Sequence, residues 1–124
     1  MTVALSALGQ IALPVSDADR ADAFYADKLG LPRLFRFGDL VFFDCGGVRL
    51  MLEGGSTEAG RTEGVCLYYR VTGIERAHEE LKARGVPFDD TPHLIAKMPD
   101  HELWMAFFRD PDGNLLALMS EVRG

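Results

Sequence analysis

The sequence predicts an α+β fold made of two βαβββ modules, on three observations. An order of strand, helix and three strands is written twice along the chain. Each helical stretch ends on a glycine, Gly30 or Gly85, the residue that takes up a left-handed helix cap at least cost. Each half then closes with a strand, a glycine-containing turn and a second strand. The 124 residues, 48% hydrophobic and 26% charged, suit an ordinary globular chain with a core of its own.

In chain order, "GQIALPVSD" alternates as a strand does, and "DADRADAFYADKLG" places Ala21, Phe24, Tyr25, the Lys28 stem and Leu29 at helical spacing. "LPRLF" is the next strand, and "DLVFFDCGGVRLMLE" is a strand, turn and strand. The polar, glycine-rich "EGGSTEAGRTEG" reads as a flexible linker. "GVCLYYRVTG" restarts the pattern, and "IERAHEELKARG" sets Ile74, Ala77, His78 and Leu81 on one helical face. "VPF" takes the place of "LPRLF", and "LIAKMPD", between Pro92 and Pro99 and flanked by His93 and His101, reads as a mobile loop. "ELWMAFFRDPDGNLLALMSE" closes the second half through an Asp-Pro-Asp-Gly-Asn turn. Module one covers residues 8–53, the linker 54–63 and module two 64–121. Gln10 aligns with Cys66 and Met51 with Ala117, the second offset being longer through extra loop in the second half.

Nineteen acidic against thirteen basic residues give a formal charge of −6 and no basic patch, which excludes nucleic acid as an expected partner. The apolar "MTVALSALGQIALPV" has no Lys or Arg before it and is interrupted by Gln10 and Pro14, so no membrane association is expected and a cytoplasmic location is. Cys45 and Cys66 are expected as free thiols. Nucleotide-binding glycine motifs, a serine-hydrolase elbow and paired-cysteine zinc spacing are all missing.

The module order, with "GQIALPVSDADRADAFYADKLGL", "VTGIERAHEELKARGV" and "FFRDPDGNLLAL", resembles the vicinal oxygen chelate superfamily of glyoxalase I, bleomycin-resistance proteins and extradiol dioxygenases. The resemblance covers nearly the whole chain. It implies a half-open barrel of mixed sheet with helices outside, enclosing a pocket. It also implies a divalent ion held from the first and last strands of each module. This chain has Gln10 where His or Gln is usual, Met51 and Ala117 where Glu is usual, and Cys66 where His is usual. A hard, oxygen-seeking cation needs carboxylates and imidazoles, so no cofactor is expected there. The alternative is an ion such as Zn, Mn, Ni or Fe on relocated ligands drawn from Gln10, Glu53, His93 and His101.

Strand alternation turns Arg49, Met51 and Glu53 to one side, and Cys66, Tyr68 and Arg70 toward the implied pocket. Leu103, Met105 and Phe107 face it by the same resemblance. The expected ligand pocket comprises Gln10, Met51, Cys66, Tyr68, His101, Met105, Phe107 and Ala117. Its apolar lining points to a metal-independent protein binding an apolar or aromatic small molecule. The alternatives are a metal-dependent lyase, isomerase or dioxygenase, and a non-catalytic structural or regulatory partner with a filled cavity. Cys66 would act as a nucleophile only with a depressed pKa; a small buried hydrophobe is the simpler reading. A homodimer is expected, because exposed sheet edges need covering and twofold closure is the commonest solution.

Overall fold

The computed structural model describes residues 3–123. The chain divides into two compact units between Ala59 and Gly60. The first contains β1 (Gln10–Pro14), α1 (Ala18–Ala23), β2 (Arg33–Phe37), β3 (Leu40–Cys45) and β4 (Val48–Glu53). Its open sheet has the order β1-β4-β3-β2, with β1 parallel to β4 and the other pairs antiparallel. The second contains β5 (Leu67–Arg70), α2 (Ile74–Ala83), β6 (His93–Lys97), β7 (Glu102–Arg109) and β8 (Leu115–Val122). Its order, β5-β8-β7-β6, repeats the first unit's pairing pattern.

The register carries the repeat to single residues. Ile11 faces Leu50 as Leu67 faces Leu116, and Met51 lies between Ala12 and Phe42 as Ala117 lies between Tyr68 and Phe107. Cys66, one residue ahead of β5, therefore takes the place that Gln10 takes in β1. Alternate residues build a core on one side of each sheet. Leu13, Val41, Phe43, Leu50 and Leu52 are buried in the first unit with Ala21, Phe24 and Tyr25 of the helix. In the second, Ala106, Phe108, Leu116 and Leu118 are buried, with Ile74 and Leu81. Each fully buried Phe stabilises by about 1.5–3 kcal/mol relative to leaving it in water.

The helices differ by one residue, thirteen from the N-cap Asp17 to Gly30 against twelve from Gly73 to Gly85. The first unit absorbs the extra residue as a π-helical turn, Phe24–Lys28, closed by the Leu29 amide on the Phe24 carbonyl. The Asp17 carboxylate accepts the Asp19 and Arg20 amides at 3.0 and 3.2 Å and starts the helix.

Two expectations from the sequence are corrected. The second strand of module two is "HLIAK", not "VPF": β6 pairs with β7, while Phe88 makes only an isolated bridge to Phe108. Pro92 and Pro99 lie outside that strand, where no ladder amide is needed, so they bound it rather than break it. The linker, moreover, is tied at both ends. Gly54 and Gly55 donate to the Asp39 and Ser16 carbonyls, and Thr62 donates its hydroxyl to Asn114 Oδ1 at 2.7 Å. Among the described residues no helix is long and apolar enough to cross a membrane.

Candidate functional site

Each sheet has a second face, opposite its helix, and the predicted site residues fall there or at its rim. In the first unit Gln10 is exposed at the start of β1 and its Nε2 lies 3.9 Å from Met51 Sδ. Beside them is an arrangement that the sequence reading did not single out. Phe35 of β2 stacks on Phe42 of β3 with centroids 4.4 Å apart, and the Arg49 guanidinium lies 5.8 Å above the Phe42 ring. The parity of "VFFD" could have revealed it, since Phe43 is buried under the helix and Phe42 must then face the other way. Glu53 ends β4 opposite Leu40 and Pro14, at the far end of the strand from the Gln10–Arg49 pair.

In the second unit Ala117 is fully buried between Tyr68 and Phe107. The Phe107 ring meets Tyr68 edge-on at 6.2 Å and His93 at 6.4 Å. Met105 pairs with His93 on one side and Met119 on the other. His93 Nδ1 lies 2.9 Å from the Thr91 carbonyl and 3.6 Å from Asp90. His101 turns instead to Asp100, 2.8 Å away, at the β6–β7 turn. Three residues of β7, Glu102 to Trp104, lie between His101 and Met105, the partner of His93, a span of four residue steps or roughly 13 Å. The two histidines thus flank a paired strand and do not converge.

Cys66 and Tyr68 line a cleft of about 340 Å³ together with Thr62, Glu63, Arg109 and Leu115. Gln10, Met51, His101, Met105, Phe107 and Ala117 do not line it. The Asp-Pro-Asp-Gly-Asn turn builds its wall. Asp110 accepts the amides of Asp112 and Asn114 and the Asn114 side chain, and Asn114 in turn receives the Thr62 hydroxyl. Gly113 has φ of 83°, a conformation that glycine adopts without the strain most side chains would meet. Arg109 donates through Nε to Asp89 at 3.0 Å and through Nη1 to the Gly113 carbonyl at 3.2 Å. Burial pushes the Cys66 thiol up, against the opposing pull of Tyr68 and Arg109. The neighbouring Cys66 and partial burial push the Tyr68 phenol up as well. Both groups are therefore protonated near neutral pH and serve as neutral donors, the opposite of what a thiolate nucleophile requires.

The described residues contain no group of three or more His, Cys, Asp or Glu placed to hold a metal ion. Residues 7–118 match the Glyoxalase/Bleomycin resistance protein/Dioxygenase superfamily. The chain belongs to that superfamily. The uncharacterized protein YraH of Bacillus subtilis (strain 168) is 29% identical to this glyoxalase-superfamily chain over 126 residues, 88% of this chain and 94% of its own. A glyoxalase/bleomycin resistance protein/dioxygenase from Alicyclobacillus acidocaldarius shares the fold with a TM-score of 0.76 at 24% identity, covering 93% of this chain and 91% of that one. Lactoylglutathione lyase from Agrobacterium tumefaciens superimposes with a TM-score of 0.73 at 25% identity, over 94% and 95% of the two chains. The amide, thioether, thiol and methyl of Gln10, Met51, Cys66 and Ala117 do not fit the ion that the superfamily's pattern implies, because no carboxylate or imidazole stands among them.

Proposed function

We propose that this protein is a metal-independent small-molecule-binding member of the glyoxalase superfamily that takes an apolar or aromatic ligand. One observation carries the reading: the helix-free face of the second unit presents Phe107 between the rings of Tyr68 and His93, with Tyr68 48% exposed. Rings presented edge and face in this way gain from a planar guest beyond the area they bury. At the ion-binding positions of that unit, Cys66 and Ala117 supply a protonated thiol and a methyl, which favour such a guest over a hydrated cation. The working form is a homodimer, which would cover the apolar side chains exposed on the edge strands, Phe35 and Phe37 on β2 and Leu94 and Ile95 on β6.

Calorimetric titration with ethylbenzene tests the reading. Binding is expected for the wild type, and Phe107→Asp should weaken it at least tenfold in a folded protein, since the new carboxylate must be desolvated by the ligand. Unchanged affinity in Phe107→Asp overturns the site. The same preparation, made without chelators, should contain no stoichiometric divalent ion and should scatter light as twice the 13.7 kDa chain. A strict monomer removes the dimer, and one bound ion per chain removes metal independence.

A further inference from the structure

We propose that the cleft ahead of β5 binds the charged head of an amino acid, or of an analogue with an amine and a carboxylate on one carbon, Glu63 taking the ammonium and Arg109 the carboxylate. The inference rests on the proposed function for the remainder of the ligand, because Tyr68 both lines this cleft and meets the Phe107 ring.

Four observations carry it. The cleft, about 340 Å³, lies at the small end of the range for organic ligands and matches a molecule of amino-acid size. Its lining holds one carboxylate and one guanidinium that are not paired with each other: Arg109 pairs with Asp89 and leaves its Nη2 without a hydrogen-bond partner among the described residues. A ligand bearing a single charge can engage only one of the two, whereas a zwitterion engages both through charge-assisted bonds. Cys66 and Tyr68, protonated side by side, add neutral donors for a carboxylate without placing a negative charge beside it. The wall is also preformed. Thr62 is held by Asn114, Asn114 by Asp110, and Gly60 lies so near the Asp112 carbonyl that a Cβ there would come within 2.9 Å of it.

Three matched probes, L-phenylalanine, 3-phenylpropanoate and 2-phenylethylamine, separate the charges, and ethylbenzene reports the apolar part alone. L-Phenylalanine should bind about tenfold tighter than either singly charged probe, the usual size of a charge-assisted hydrogen bond. Arg109→Gln should erase its advantage over the amine, and Glu63→Gln its advantage over the carboxylate. Ethylbenzene affinity should not move in either variant, and circular dichroism checks that both fold. Equal affinity for the three probes, or a preference that survives both substitutions, overturns the proposal. If ethylbenzene does not bind while the charge-dependent preference persists, the apolar platform falls and the amino-acid head site stands. If ethylbenzene binds in a Phe107-dependent manner and the charges have no effect, the reverse holds.

Discussion

At the same place in their helices the two units bury a polar side chain, Asp22 in the first and His78 in the second, each five residues after the N-cap. They treat it in opposite ways. Asp22 accepts both Nε and Nη2 of Arg33, at 2.9 and 2.7 Å, and Arg36 approaches to 3.6 Å. His78 packs edge-on against Phe88 at 4.4 Å, and its Nε2 has no hydrogen-bond partner among the described residues. The pairing partners come from β2, which follows α1 closely. In the second unit the corresponding strand β6 is delayed by residues 86–92, and Phe88 fills the space instead. A shared topology therefore sets which positions are buried, while loop length decides what each buried group meets.

The largest expected effect tests how far the two cores are equivalent. Phe43 faces Leu50 and Phe108 faces Leu116, and both rings are fully buried. Phe43→Ala and Phe108→Ala should each lower the unfolding free energy by about 3–5 kcal/mol in urea denaturation. A difference of several kcal/mol between the two would break the equivalence that the register implies.

That equivalence was legible in the sequence because it depends on local rules. Strand parity turned Arg49, Met51 and Glu53 to one side, which leaves Leu50 and Leu52 for the buried side where they lie, and Gly30 and Gly85 marked the helix ends. The π-helical turn was hidden because Ala21, Phe24, Tyr25 and Leu29 stand at ordinary α-helical spacing, so the pattern carries no mark of the extra residue. β6 was missed because Pro92 and Pro99 resemble breakers unless a partner strand is known. The cleft was least legible of all: Thr62 and Asn114 are 52 residues apart, and only tertiary contact brings the linker onto the Asp110 turn.

The buried polar pair gives an intermediate effect with opposite signs. Asp22→Asn weakens a bond to two guanidinium nitrogens and should cost about 1–2 kcal/mol, reduced because Arg33 is half exposed. His78→Leu removes a buried ring nitrogen that has no partner and keeps an apolar contact with Phe88. It should raise stability by up to about 1 kcal/mol. Thermal unfolding of the two variants checks both signs, and a loss of stability in His78→Leu would show that its ring is satisfied in solution.

The smallest effect lies in the hairpins. The first unit joins β2 to β3 through Gly38 and Asp39 alone, whereas the second uses four residues, Met98 to His101, between β6 and β7. That longer turn is clamped from outside. Asp100 receives Arg123 Nη1 at 2.6 Å and His101 at 2.8 Å, and Arg123 also reaches Glu121 at 3.1 Å. The hydrogen bond from Arg123, followed by that from His101, holds the Asp100 carboxyl down to about 2. A depressed folded-state value means that the clamp contributes its full stability above the ordinary aspartate range, near 3.9, and loses it as pH falls through about 2. The wild type and Arg123→Gln should therefore differ slightly in thermal stability at neutral pH and converge toward pH 2. The difference is small because the pair lies at the surface, where water and salt screen it. Carbon-detected NMR titration reads the cause directly: in Arg123→Gln the Asp100 carboxyl should titrate closer to the ordinary range. An Asp100 titration identical in the two proteins would mean that the clamp does not form, and that the longer turn is held only by its own strand pairing.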